Sequence, residues 1–174
     1  MLDTNINQYE LNDQSLIINP PKSAIVPRFL MYFFAFISFI TPVFALISTA
    51  SSGSGLHIGN FISILIFGLI GFYLLRVALW NTYGKESMYF HKETISYEAD
   101  YGWFKDKVKK IPTKGLTLSF QVVGYEEENK GVLVLTQNNQ SIKCASKMPI
   151  DEIEILISEL NKHIQFTSLT SQQK

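Results

Sequence analysis

Two long apolar runs decide the fold of this chain: FLMYFFAFISFITPVFALISTA at Phe29–Ala50 and FISILIFGLIGFYLLRVALW at Phe61–Trp80. A helix rises ~1.5 Å per residue, so about 20 apolar residues cross a hydrocarbon core that is ~30 Å thick. Both runs reach that length, and the short polar turn Ser51–Asn60 separates them. The pattern predicts a transmembrane hairpin within residues 28–83, with helices at about 29–50 and 61–80.

Two other interpretations of these runs are weaker. A soluble protein could bury such helices in its core, but a chain of 174 residues is too short to surround both. The first run could be a secretory signal peptide, because Ser48-Thr49-Ala50 resembles a cleavage site. However, the run is longer than a typical signal-peptide core and begins far from Met1. Pro42 is compatible with a membrane helix, where neighbours can satisfy the freed carbonyl.

The residues that flank the runs predict the orientation of the hairpin. Arg76 lies one turn before Trp80, and its long side chain can extend to the lipid headgroups. Trp80 and Tyr83 match the aromatic belt of a membrane interface. The predicted membrane-interface anchors are Arg28, Arg76, Trp80 and Tyr83. Because the turn Ser51–Asn60 has no Lys or Arg, the positive-inside rule places both termini in the cytoplasm. We therefore expect a multi-pass protein of the inner (cytoplasmic) membrane.

The remaining sequence predicts a β-rich domain at residues 86–166, after a polar N-terminal arm at 1–27. Alternation of apolar and polar residues is the signal of half-buried strands. Within the arm, Leu16-Ile17-Ile18 could either add a strand to the edge of the domain or belong to a loose arm. In Leu116–Val123 the residues expected to face inward are Leu116, Leu118, Phe120 and Val122. The predicted strands include Thr94–Tyr101, Phe104–Pro112, Leu116–Val123, Val132–Gln137 and Gln140–Ala145, with Asn138-Asn139 supplying a tight hairpin turn.

The last element has a helical period instead. In IDEIEILISELNKHI, apolar residues recur at three- and four-residue spacings and form one stripe: Ile153, Leu156, Ile157, Leu160 and Ile164. The tail at 167–174 is rich in Ser, Thr and Gln and is expected to be disordered. The fold class that results is a membrane α-helical hairpin plus an α+β domain, in which the helix covers an antiparallel sheet or partly open barrel.

Six or seven strands followed by a helix resemble the pleckstrin-homology (PH) superfold. The segments Leu79–Glu86 and Tyr101–Phe104 resemble small bacterial proteins that combine a two-helix hairpin with a PH-like domain. The photosystem I assembly factor of chloroplasts and cyanobacteria has a similar layout. The resemblance covers roughly Phe29–Ile164 and implies a PH-like binding domain. No short motif carries the photosynthetic role over to this chain.

Sequence motifs for catalysis are missing. The chain has no GxGxxG, GKS/T, GxSxG or HExxH motif. Its three histidines, His57, His91 and His163, fall on different predicted elements, and Cys144 is the only cysteine. The net charge of zero gives no indication of nucleic-acid binding. We therefore expect a non-enzymatic protein without a metal or another cofactor.

The main charge feature is a group of lysines in the β-rich domain: Lys105, Lys107, Lys109, Lys110 and Lys114. The PH resemblance implies possible contacts with anionic lipids, since basic residues of eukaryotic PH domains bind inositol phosphates. Near an anionic leaflet each lysine could contribute ~1 kcal/mol. The alternative is an ordinary solvated strand face, because Asp106 interrupts the group.

These features predict a membrane-anchored binding or assembly module that acts on a membrane protein partner. Its anchor would be integral to the lipid bilayer. Two other functions stay open at this point: a regulator that senses anionic lipid, and an immunity or defence partner against a membrane-active toxin. The sequence does not determine the oligomeric state.

Overall fold

The computed structural model describes residues 8–53, 57–106 and 108–171, except the side chains of 126 and 165–171. Backbone contacts divide the chain into two compact units. One is Lys22–Tyr83, called the helical unit below. The other combines Met1–Pro21 with Gly84–Lys174 and is called the β unit. The N-terminal residues therefore belong to the same unit as the C-terminal half.

The helical unit is an antiparallel pair of long helices, α1 (Ile25–Ser51) and α2 (Ile58–Tyr83). Each is a few residues longer than the apolar run that predicts it. At ~1.5 Å per residue each helix is about 40 Å long. Pro42 lies inside α1 without ending it. Both helices are long and apolar enough to span a membrane.

Small side chains line the contact between the two helices, as is usual where helix backbones approach closely. The buried residues are Ala35, Ser38 and Pro42 on α1 and Gly71, Ala78 and Leu79 on α2. Gly71 has a steric reason to be glycine, because a Cβ atom there would lie 3.0 Å from the Phe39 ring. At Gly68 a Cβ would meet nothing within 4 Å. The two glycines of α2 therefore differ in their tolerance of a side chain.

The first sheet of the β unit, sheet A, has five antiparallel strands in the order β1-β2-β3-β4-β5. These are β1 (Tyr9–Leu11), β2 (Ser15–Ile18), β3 (Lys85–Phe90), β4 (Thr94–Asp100) and β5 (Lys109–Pro112). Of the two alternatives for Leu16-Ile17-Ile18, the structure has the strand: Leu16 pairs with Met88, and both are buried. The predicted strand Phe104–Pro112 is too long, since the strand begins only at Lys109, after an isolated bridge between Asp100 and Lys105.

The second sheet, sheet B, consists of β6 (Thr117–Val122), β7 (Lys130–Gln137), β8 (Gln140–Lys143) and β9 (Met148–Pro149). Its order is β6-β7-β8, and β9 also pairs with β7. Asn138, with φ of 49°, supplies the left-handed conformation in the β7–β8 turn. The prediction that Val122 faces inward is wrong, because its side chain is 55% exposed.

The C-terminal helix α3 (Ile150–Ser171) packs against both sheets. Its predicted apolar stripe is confirmed: Ile153, Leu156 and Leu160 are buried, and Ile157 and Ile164 are half-buried. Gly131 of β7 allows a close approach, since a Cβ there would lie 3.1 Å from Ile153 Cδ1. On the other side, Tyr9 of β1 donates a hydrogen bond to Glu159 at 3.0 Å.

Two further features of this unit concern its C-terminal end and its sheets. The helix continues to Ser171, into the segment 167–174 that the sequence predicts to be disordered, and residues 172–174 lie outside the described part. The α+β layout is confirmed, but the described strands form two sheets and no closed barrel. A PH-like barrel therefore stays a prediction.

Candidate functional site: an open strand edge in sheet B

A buried carboxylate joins the two sheets. Glu86, on β3, is fully buried and accepts hydrogen bonds from the Tyr97 hydroxyl and from the backbone N–H groups of Ala145, at 2.7 Å, and Ser146, at 2.8 Å. Tyr97 belongs to sheet A, whereas Ala145 and Ser146 follow β8 of sheet B. Glu86 thus fixes the position of one sheet against the other.

The groups around Glu86 are held in their neutral forms. Burial and then the Glu86 carboxylate raise the pKa of the Tyr97 hydroxyl. The same two causes, burial first, raise the pKa of the Cys144 thiol well above its ordinary value. A thiolate is the reactive form of cysteine, so a buried neutral thiol is a poor nucleophile. This cluster is suited to holding the fold together, and nothing in the sequence singles out Glu86.

The lysine group does not form one compact patch. Lys105 lies opposite Asp100 at one end of β4 and pairs with Glu98 at 2.6 Å. Lys114 follows Pro112, which lies opposite Thr94 at the other end of that strand. Those two ends are about 20 Å apart at ~3.3 Å per residue. Between them, Lys109 and Lys110 are exposed on β5, while Lys107 lies outside the described residues.

The predicted interface anchors lie towards the ends of their helices. Arg28 is in the first turns of α1, where its Nε donates to the Ala24 carbonyl at 3.4 Å. Arg76 and Trp80 are half-buried in the last two turns of α2, and Tyr83 is its final residue and is exposed. Arg28 and Tyr83 thus lie at the two ends that connect the helical unit to the rest of the chain.

Among the described strands, three of the four sheet edges carry features that discourage pairing with another chain. Natural proteins protect edge strands by shortness, by charged side chains and by proline. Strand β1 has three residues and includes Glu10. Strand β5 carries Lys109, Lys110 and Pro112. Strand β8 has four residues and ends with Lys143.

The fourth edge, strand β6, has none of these three features, although helix α3 packs against this strand. Its six residues, TLSFQV, contain no charge and no proline. Val123 donates to the Lys130 carbonyl at 3.0 Å, which fixes the alternation of the β6–β7 ladder. In an antiparallel pair, alternate residues direct their backbone N–H and C=O groups away from the partner strand. On β6 these are Leu118, Phe120 and Val122, and within the described residues no backbone partner lies on that side.

Exposed apolar side chains accompany this edge. Val122, at the end of β6, is 55% exposed, and Tyr125 in the following turn is 81% exposed. Gly124, with φ of 94°, makes the bend between them. A row of available backbone groups beside two exposed apolar side chains is the arrangement used in strand-addition recognition. Because the sequence pattern predicts an inward-facing Val122, sequence reasoning missed this exposed apolar edge.

Metal-binding chemistry finds no support in the described residues, where no three His, Cys, Asp or Glu side chains come together. His163 lies well before the end of α3, and its ring contacts Phe90 with a centroid distance of 5.0 Å. No protein-family model matches this chain, and neither a curated protein nor a solved structure is significantly similar to it.

Proposed function

We propose that this protein is a membrane-anchored, non-enzymatic binding module that holds an extended segment of a membrane protein partner against strand β6. Helices α1 and α2 anchor it in the bilayer, and the β unit supplies the binding edge. The observation that carries the proposal is the uncharged six-residue edge of β6, beside Val122 and Tyr125.

The surface of the helical unit supports the anchor. In each helix only 17% of the most apolar window is buried within the structure. Bulky side chains such as Phe36, Phe44 and Leu65 are more than 60% exposed. Apolar surface of this extent is typical of contact with lipid or with other proteins. In our proposal the helices cross the inner membrane and both connections to the β unit lie on the cytoplasmic side, in line with Arg28 and Arg76.

The energetics of strand addition indicate a weak, tether-assisted interaction. The three outward-facing residues of β6 can form up to six backbone hydrogen bonds with an antiparallel strand. At roughly 0.5–1.5 kcal/mol each, these contribute about 3–9 kcal/mol before the costs of association. Confinement of both proteins to one membrane raises their effective concentration and offsets part of those costs. This is why we propose a partner in the membrane.

The lysine group gives less support to a lipid-sensing regulator. Its members are spread along about 20 Å of β5 and its flanks, and Lys105 is already paired with Glu98. No specific observation favours the immunity function, and a PH-like origin of the β unit stays a prediction.

A proline substitution tests the proposal directly. Val122→Pro removes an outward-facing N–H but no hydrogen bond to β7, and an edge strand accepts proline in that orientation. Val122→Thr keeps the N–H and the side-chain shape and is the matched control. Each change is combined with a photo-crosslinking amino acid at Gln121, which is exposed. The full chain is then irradiated in native membranes, and protection of Cys144 from alkylation confirms that the β unit is folded.

We expect one dominant crosslinked membrane protein, joined through an extended segment, in the wild type and in Val122→Thr, and at least a tenfold loss in Val122→Pro. An unchanged crosslink in Val122→Pro would show that strand pairing does not hold the partner. Crosslinks only to lipid, or only to a second copy of the chain, would also overturn the proposal.

A further inference from the structure

Trp103 occupies the tip of the hairpin that joins β4 to β5. Tyr101 N–H donates to the Phe104 carbonyl at 2.9 Å, which closes a two-residue turn. Gly102, with φ of 88°, occupies its first position, as a type II′ turn requires. The Tyr101 and Phe104 rings stack, with centroids 4.8 Å apart. The turn therefore places its second residue, Trp103, at the tip of the hairpin.

The side chain of Trp103 is 72% exposed, although tryptophan is usually largely buried. Proteins commonly expose an indole ring where it can lie at a membrane–water interface, with its apolar body towards lipid and its N–H towards water. Exposure by itself does not identify the medium that covers this ring. The position of the hairpin within sheet A does.

Both connections from the β unit to the helical unit leave from one rim of sheet A. Strand β2 ends at Ile18, which pairs with Glu86 at the start of β3. Lys85 lies two residues after Tyr83, the last residue of α2, so the Cα atoms of these residues are at most about 8 Å apart. Lys85 also pairs with Asp100, and the Trp103 turn begins directly after Asp100. Trp103 thus projects from the rim to which the apolar helices are attached.

Charges at this rim largely cancel. Lys85 lies 3.7 Å from Asp100, and Lys105 lies 2.6 Å from Glu98 and 4.0 Å from Asp100. Asp106, whose backbone N–H donates to the Ala99 carbonyl, adds a third carboxylate, so the described residues of this rim carry no excess of positive charge to attract an anionic leaflet. An apolar ring on a rim without excess positive charge favours lipid contact through the indole rather than through electrostatic attraction.

We propose that Trp103 inserts its indole ring into the lipid interface of the membrane. The occupant of this surface is the bilayer itself, at headgroup depth. The inference rests on the proposed membrane anchor, since it needs α2 to end at the interface. It does not depend on the binding edge at β6.

Fluorescence of the two tryptophans separates this inference from the anchor on which it rests. The chain contains only Trp80 and Trp103, so Trp80→Phe reports Trp103 alone and Trp103→Phe reports Trp80 alone. Both full-length variants are reconstituted into zwitterionic phosphatidylcholine vesicles. The acyl chains carry bromine either near the headgroup or deep in the bilayer, and parallel vesicles contain added phosphatidylglycerol.

We expect Trp103 emission at shortened wavelength, quenched more strongly by shallow than by deep bromine, and to the same extent with and without phosphatidylglycerol. If Trp80 is quenched while Trp103 keeps its aqueous emission, this inference fails and the anchor stands. If neither is quenched, the anchor fails as well. Quenching of Trp103 only in anionic vesicles would show electrostatic attraction and would overturn the mechanism proposed here.

Discussion

Removing the Glu86 carboxylate should destabilise the β unit strongly. The carboxylate accepts three hydrogen bonds, from Tyr97, Ala145 and Ser146, and connects the two sheets. In Glu86→Ala all three donors lose their acceptor in a buried site. In Glu86→Gln the side-chain oxygen can still serve Tyr97 and Ala145, but the new amide N–H₂ faces the Ser146 N–H, so one donor is lost.

The expected magnitudes follow from the number of donors left unpaired. A buried donor without a partner costs roughly 1–3 kcal/mol. Glu86→Gln should therefore lower the free energy of unfolding of the β unit by about 1–3 kcal/mol. Glu86→Ala should lower it by at least ~3 kcal/mol, a large part of the ~5–15 kcal/mol typical of a whole domain.

Cys144 provides the assay, since it is the only cysteine of the chain and its side chain is 2% exposed. Detergent-solubilised full-length protein is incubated in increasing urea and given a short pulse of alkylating reagent. With a slope of about 1–3 kcal/mol per molar urea, a loss of 3 kcal/mol shifts the labelling midpoint by ~1–3 M. The variants are compared by their urea midpoints of labelling and not by their labelling rates, because Glu86 also affects the reactivity of the Cys144 thiol.

Glu93→Ala is the matched control, because Glu93 is exposed in the β3–β4 turn and should change stability by less than ~0.5 kcal/mol. The proposed cost of the unpaired donors is refuted if Glu86→Ala has the same labelling midpoint as Glu93→Ala. It is also refuted if Glu86→Gln is at least as destabilising as Glu86→Ala, since the number of unpaired donors would then not set the cost.

Two further predictions concern helix packing and pH. Gly71→Leu should separate α1 from α2, because the leucine side chain would collide with the Phe39 ring, whereas Gly68→Leu should be tolerated. The difference is measured by disulfide crosslinking between cysteines placed on the two helices. Equal losses of crosslinking in the two variants would contradict the packing. Burial and then the hydrogen bond to Glu159 raise the pKa of Tyr9 from 10.0 to about 12. Below pH 10 the tyrosine is neutral in both the folded and the unfolded state, so its contribution to the free energy of unfolding is fully present there. That contribution is lost as pH rises towards 12. Urea midpoints from pH 9 to 12 should therefore fall more steeply in the wild type than in Tyr9→Phe, and identical slopes would contradict this.

Local patterns in the sequence identify the three helices and the β7–β8 turn, but not where each helix ends. The apolar runs place α1 and α2, and the stripe from Ile153 to Ile164 identifies the buried face of α3. Asn138 marks the β7–β8 hairpin because few residues other than glycine adopt its positive φ. Each of these signals involves residues that are close in the chain.

The missed features depend on partners that are distant in the chain. Strand β2 pairs with β3 across the whole helical unit, so no local period could decide whether Leu16-Ile17-Ile18 was a strand. The acceptor role of Glu86 depends on Ser146, 60 residues further on. Val122 is exposed although it pairs with Gly131 of β7, and strict alternation predicted the opposite. The candidate binding edge could be found only after the strand order was known.

The central claim is a helical hairpin that crosses the bilayer and holds the β unit on the cytoplasmic side. It is tested most directly by labelling single cysteines in sealed membrane vesicles of known orientation. In a Cys144→Ala background, Ser52→Cys reports the turn after α1, and Lys92→Cys reports the exposed β3–β4 turn. A membrane-impermeant maleimide should label Ser52→Cys only from the external face and Lys92→Cys only from the cytoplasmic face. Labelling of both positions from the same face, or recovery of the protein in the aqueous fraction, would contradict the account.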